Sequence, residues 1–237
     1  MIRLDQFLSR AGWGSRKEVK RLIRSGVVSV NGRMVREAAF KVAPGDRVEV
    51  SGKPVSFQEH RYFLLYKPRG YVTSTRDRLP TVMELLVGVS RTEKLFPVGR
   101  LDRDAEGALL VTDDGQLAHR LTHPKWKVPK VYLVEVEGEF SEELLPQFEE
   151  GIELSEGKTR PARARIVSRK ENATLLEVIL KEGRYHQIKR MFRALGFRVL
   201  NLKRVRFGPL TLEGLLPGEF RALNEEEISA LRQAVGL

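Results

Sequence analysis

Residues 96–115, FPVGRLDRDAEGALLVTDDG, put an aspartate flanked by cations at the entrance of an apolar run. Ala108, Leu109, Leu110 and Val111, bounded by Gly107 and by Thr112-Asp113-Asp114-Gly115, have the profile of a core strand with a turn at each end. Arg100, Asp102 and Asp104 then fall in a loop fixed by that strand, where a rigid scaffold sets geometry while the loop keeps access to a substrate. The candidate reactive group is Asp102.

Other chemistries fit the spacing less well. Acids at 102, 104, 106 and 113 with Gly107 mimic a calcium loop, but Pro97 and Gly99 stand where an entering helix is needed, and LLVT reads as strand. Asp102 and Asp104 could suggest glycoside hydrolysis. Alternate residues of an extended stretch point to opposite sides, however, which argues against both entering one pocket. His119 and His123 could share a helix face as metal ligands, but His123 precedes Pro124 and no HExxH glutamate lies between them, so a surface or capping role is expected. Gly12-Trp13-Gly14 follows a helix with only two glycines, which fits neither a dinucleotide fingerprint nor a phosphate loop.

The 237 residues carry a formal net charge of +11 and no cysteine. The length suits a small domain plus a medium one. Without cysteine there is no disulfide framework, thiolate zinc site or cysteine nucleophile, in keeping with a reducing cytoplasm. No apolar run is long enough to span a bilayer, and MIRLDQFLSRAG is too charged for a signal peptide, so a cytoplasmic protein is expected. The positive charge points to a polyanionic partner, nucleic acid before membrane surface.

That charge is concentrated at one end. Through residue 57, twelve basic residues face five acids, leaving seven of the eleven net charges there. Ser15 and Glu18 form a capping box; Val19, Leu22 and Ile23 make an apolar stripe, and Gly26 ends the helix. Arg16, Lys17, Lys20, Arg21 and Arg24 share the opposite face and are candidate phosphate contacts. Asn31-Gly32 between two apolar runs predicts a hairpin, and Val48 to Val50 another strand. Polar SGKPVSFQEH then marks a boundary, giving a domain at 1–52 that reads as binding RNA or DNA, a linker at 53–60 and a larger domain at 61–237.

In the larger domain, strands are expected at Tyr62 to Tyr66, Val131 to Val136 and Leu175 to Leu180, and Lys67-Pro68-Arg69-Gly70 reads as a turn with two cations beside the sheet. Helices are expected over Ser141 to Glu150, Tyr185 to Leu195 and after Asn224, the last with three glutamates in its first turn. Strands followed by strands with scattered helices imply an α+β fold, mostly antiparallel.

The segment RLDQFLSRAGWGSRKEVKRLIRSGVVSVNGRMV resembles the small RNA-binding domain shared with ribosomal small-subunit protein S4. GRLDRDAEGALLVTDDG resembles the catalytic motif of pseudouridine synthases, with YKPRGYVTS, KVYLVEV and LKEGRYHQIKRMF similar to its companion motifs in the same order. Together they resemble the ribosomal small-subunit pseudouridine synthase A family. The resemblance implies isomerisation of uridine in RNA without cofactor or metal. Asp102 becomes the essential carboxylate and Tyr132 the active-site tyrosine, stacking on an extracted base. Lys189 becomes the basic residue of the last motif, where many synthases of the wider superfamily have arginine, and Arg190 is the alternative partner of Asp102. Arg100 is expected to contact phosphate or hold the flipped nucleotide, Leu180 to floor the base pocket, and Lys67, Arg69, Arg184 and His186 to contact RNA.

The carboxylate could attack ribose, attack the base, or remove a ribose proton to give a glycal; each route needs it ionised, which calls for a cation beside it. The partner expected is ribosomal RNA, small-subunit before large, free or in a partly assembled particle, acted on by a monomer. A non-catalytic ribosome-assembly factor and a metal-dependent phosphodiesterase are the rival readings.

Overall fold

In the computed structural model, which describes residues 1–55 and 60–237, the chain divides into two units, Met1–His60 and Arg61–Leu237. Local signals assemble the first. After β1 (Ile2–Arg3) and α1 (Leu4–Arg10), Ser15 opens α2 (Arg16–Arg24). Its hydroxyl accepts from the Glu18 N–H, and the Glu18 carboxylate accepts from the Ser15 N–H at 2.7 Å, so two amides at the helix start are satisfied reciprocally. Val19 and Ile23 are buried, while Arg16, Lys17, Lys20, Arg21 and Arg24 are exposed. Between β2 (Val28–Val30) and β3 (Arg33–Met34), Asn31 and Gly32 both take left-handed φ, 51° and 77°, as a two-residue hairpin matching the strand twist requires. β4 (Lys41–Val42) pairs with β1, and β5 (Val48–Val50) lies between β2 and β6 (Lys53–Pro54). Leu4, Leu8, Val19, Ile23 and the valines of β2, β4 and β5 form the core. The linker expected at 53–60 thus opens with a paired strand, and its residues 56–59 lie outside the described residues.

The second unit is α+β. Its strands are β7 (Tyr62–Lys67), β8 (Phe96–Pro97), β9 (Glu106–Thr112), β10 (Lys130–Glu137), β11 (Arg163–Lys170), β12 (Ala173–Leu180), β13 (Val199–Phe207), β14 (Leu210–Thr211) and β15 (Phe220–Ala222). They form one sheet ordered β11-β12-β10-β13-β9-β7-β15, with β8 added to β9 and β14 to β13. Among the described strand pairings only β9 with β13 is parallel. The helices are α3 (Gly115–Thr122), α4 (Pro146–Glu150), α5 (Gln187–Ala194) and α6 (Glu225–Gln233). Asn224 caps α6 through the Glu227 N–H at 2.8 Å. Among the described residues no helix is long and apolar enough to cross a membrane.

The centre of the sheet depends on β9. Ala108 and Leu110 pack on one side, with α3 and α6, while Leu109 and Val111 pack on the other, so the strand is apolar at every position because both faces are covered. Gly107 lies inside this strand rather than bounding it. A Cβ there would sit 2.2 Å from the Arg204 carbonyl oxygen, so glycine is required for β9 to approach β13. This register delivers residues 98–105 to the middle of the sheet.

Two helix expectations need correction. The helix expected over 141–150 is broken into a 3-10 turn, Glu142–Leu144, and α4, which starts at Pro146, a residue with no N–H to donate to a preceding turn. The helix expected from Tyr185 starts at Gln187, because His186 takes a left-handed backbone with φ of 48°.

Candidate active site

Residues 101–105 form a turn leading into β9, and the end of β7 holds it from beneath. Lys67 is fully buried at 0 % exposure. Its ammonium donates to the carbonyl oxygens of Ala105 at 2.6 Å, Asp102 at 3.0 Å, Pro68 at 3.1 Å and Arg103 at 3.3 Å. Burial pushes its pKa down to about 8, against the charges of Asp104, Asp102 and Glu106. Thr73 adds a second anchor, donating to the Leu101 carbonyl at 2.7 Å and accepting from its N–H at 3.2 Å. Gly70 donates its N–H to the Arg103 carbonyl at 2.8 Å, and Arg103 Nε donates to the Gly70 carbonyl at 3.1 Å. Lys67 is therefore a support of the Asp102 loop and not an RNA contact. Its position in a basic turn suggests exposure; pairing opposite Gly107 buries it.

The loop directs Asp102 toward α5. Lys189 Nζ lies 3.2 Å from Asp102 Oδ2 and donates to Asp104 Oδ1 at 2.6 Å, while His186 Nε2 lies 3.4 Å from Asp102 Oδ1. The two carboxylates do not diverge as an extended strand would make them, because residues 103–104 turn and bring both to one ammonium. Burial raises the Asp104 carboxyl, but its hydrogen bond to Lys189 and that residue's charge outweigh this and hold it below its ordinary value. Burial likewise lowers Lys189, and the bonds to Asp104 and Asp102 outweigh it, raising the ammonium above its ordinary value. Arg190 is not the partner of Asp102. It is committed to Glu156, Ser155 and the Tyr185 carbonyl.

A cavity of about 590 Å³ opens beside Asp102. Tyr132 on β10 and Leu180 on β12 line it, both under 10 % exposed, together with Ile188 of α5. Arg100, Arg103, Arg184, Tyr185 and His186 also line it, Arg100, Arg103 and Tyr185 being exposed. Arg184 is held by the carbonyls of Gly157 at 2.8 Å and Lys158 at 2.6 Å. Arg69 does not line the cavity; it is exposed and bonded to Asn201.

Several lining residues are not singled out by the sequence, although Lys130 and Glu182 fall within KVYLVEV and LKEGRYHQIKRMF. Lys130 is pushed down to about 8 by burial and by the nearby Arg204, against the pull of Glu182. Arg204 is 1 % exposed and donates through Nε to the Ala108 carbonyl at 2.7 Å, while its Nη2 has no partner among the described residues. Glu182 accepts from Gln187 Nε2 at 2.7 Å and the Arg160 N–H at 3.0 Å, fixing the entry to α5. His186 is legible in the sequence only as an RNA-contact candidate; it approaches Asp102 from the left-handed turn before α5.

The acids of the apparent calcium loop disperse. Asp113, beyond the end of β9, pairs with Arg61 at 3.1 Å, and Glu106, within that strand, accepts from the Tyr66 hydroxyl at 3.3 Å. No group of three His, Cys, Asp or Glu residues suited to a metal occurs among the described residues. His119 and His123 lie with ring centres 5.5 Å apart and planes tilted by 47°, and His123 caps the turn at 124–126 by accepting from the Lys125 N–H.

Residues 61–194, which hold the Asp102 loop, β10, β12 and α5, match the RNA pseudouridylate synthase family. The chain belongs to that family. It is thus an isomerase of RNA uridine, and residues 2–48 match the S4 domain. The chain is 43% identical to the ribosomal small subunit pseudouridine synthase A of Escherichia coli (strain K12), covering 97% of this chain and 100% of that protein. It is 40% identical to the ribosomal large subunit pseudouridine synthase B of Bacillus subtilis (strain 168), over 98% of this chain and 96% of that one. A crystal structure of a pseudouridylate synthase matches with TM-score 0.68 and 35% identity, covering 98% of this chain and 100% of the other.

Proposed function

We propose that this synthase converts one uridine of small-subunit ribosomal RNA to pseudouridine, with Asp102 as the reacting carboxylate. The observation that carries the chemical part is the placement of Asp102 between Lys189 and His186 at the mouth of a cavity lined by Tyr132 and Leu180. Isomerisation breaks the bond between ribose C1′ and uracil N1 and forms one from C1′ to C5. The C5 proton leaves, and N1 gains one.

Each residue has a part in that exchange. Asp102 must be anionic whether it attacks ribose, attacks the base or takes a ribose proton, and Lys189 keeps a positive charge 3.2 Å from it. Tyr132 offers a ring face and a hydroxyl, and Leu180 an apolar floor, to a base that has left its stack. Extrusion costs a few kcal/mol, which stacking and phosphate contacts must offset. Arg100 and Arg184 are suited to phosphate at the cavity mouth, and the exposed row of Arg16, Lys17, Lys20, Arg21 and Arg24 to structured RNA.

The small-subunit reading is supported by the likeness of YHQIKRMF to the synthase A family and by the 43% identity to its Escherichia coli member. A large-subunit target is the second reading, favoured by the 40% identity to synthase B of Bacillus subtilis. Tritium release from RNA labelled at uridine C5 decides between them. The monomeric enzyme should release one equivalent from small-subunit RNA, free or in an assembly intermediate, and none from large-subunit RNA. The reverse pattern establishes the second reading, and release from neither overturns both.

A further inference from the structure

Tyr185 is 77 % exposed, yet it is held like a core residue. One face of its ring is covered by the His186 imidazole, with centroids 3.9 Å apart and planes 18° from parallel. Its carbonyl accepts from Arg190 Nη1 at 3.1 Å, and Arg190 is itself clamped to Glu156 and Ser155. The stack is possible because His186 takes a left-handed backbone that side-chain-bearing residues seldom adopt. On its other edge the same imidazole meets Asp102. Tyr185 also lines the cavity, among the cations Arg100, Arg103 and Arg184. Single exposed aromatics are ordinary; one fixed at both backbone and ring, at a cavity lined by cations beside Asp102, is arranged to receive a second flat ring.

Extruding a uridine strips a stacking partner from each of its neighbours in the strand. Resting on the RNA-uridine reading above, we propose that Tyr185 is a stacking platform for an unpaired nucleobase next to the extruded uridine. Nucleobases stack on aromatic rings with little regard to sequence, while cations around the ring hold the connecting phosphates. Occupied, the platform holds the Tyr185 ring between the base and the His186 imidazole, and so steadies the imidazole that meets Asp102. Tyr185 is thus a binding and positioning residue; the ring face matters and the hydroxyl does not.

The test is a fluorescence titration of full-length enzyme against short single-stranded RNAs holding one uridine, with 2-aminopurine on its 5′ side in one and its 3′ side in the other. Wild type and Tyr185→Phe should quench one of the two probes and bind it equally well. Tyr185→Ala should lose that quenching and bind about ten-fold more weakly. The proposal is overturned if Tyr185→Ala quenches and binds as wild type does, or if Tyr185→Phe fails as badly as Tyr185→Ala. Tritium release from ribosomal RNA, run on the same samples, reports separately on the catalytic reading, since quenching requires no turnover.

Discussion

Cations do opposite work in the two units. On α2 of the first, Arg16, Lys17, Lys20, Arg21 and Arg24 stand exposed, and none enters an ion pair with another described residue. In the second, the cations around the carboxylate proposed to react are already committed: Lys189 to Asp102 and Asp104, Arg190 to Glu156, and Lys67 to four backbone carbonyls. Exposed cations supply affinity for phosphate and steer encounter, at the cost of salt sensitivity. Committed cations supply geometry, which determines the rate of the chemical step. The same residue types therefore have different measurable signatures in the two places.

Among the cations, the largest effect should come from Lys189. Replacing it with Met leaves Asp102 facing only His186 and should lower kcat by about a hundredfold or more, the scale of losing a preorganised charged donor at a reacting centre. RNA affinity should change little, as filter binding at fixed salt will show. A loss confined to affinity would break the comparison.

Lys67→Met should come next. It leaves buried carbonyls without a donor, worth about 1–3 kcal/mol of stability, and should cut kcat about ten-fold with KM nearly unchanged. The pH dependence has a definite sign. Because Lys67 is lowered to about 8 when folded, from an ordinary 10.5, the unfolded chain holds a proton there between those values and the folded chain does not. Its linkage contribution to stability therefore rises with pH across that window and is lost as pH falls back to about 8. Activity should move the other way, falling above about pH 8 as the turn loses its ammonium. Thermal melts and single-turnover rates across that window and just below it, set beside those of Lys67→Met, check both directions.

The smallest effect on rate should come from α2. Changing Lys17, Lys20 and Arg24 to Gln should weaken RNA binding and leave kcat at saturating RNA unchanged. The slope of log K against log salt should become shallower by about one for each phosphate no longer neutralised. An unchanged slope would remove α2 from the RNA-binding surface.

Much of this division is legible in the sequence, and what is not legible shares one cause. The Ser15–Glu18 cap, the Asn31-Gly32 hairpin and the Asn224 cap are set by neighbours within a few residues, so local chemistry reads them directly. Asp102, Tyr132, Leu180 and Lys189 follow from motif order; the first three line the cavity, while Lys189 reaches Asp102 from α5. The failures are residues whose surroundings come from distant chain. Lys67 sits in what reads as a surface turn but is buried where β7 meets Gly107. Arg190 is one step from Lys189 on α5, and only the folded position of Glu156 shows which of the two is free to face Asp102. Strand alternation assigns Asp102 and Asp104 to opposite sides, a rule that does not apply in a turn.

The central claim is that Asp102 does chemistry while the surrounding cations only position and bind. Tritium release and RNA affinity, measured together on wild type and Asp102→Asn, test it most directly. The account predicts equal affinity at matched salt, full release by wild type and no release by the variant. Release by Asp102→Asn at even a tenth of the wild-type rate would contradict it.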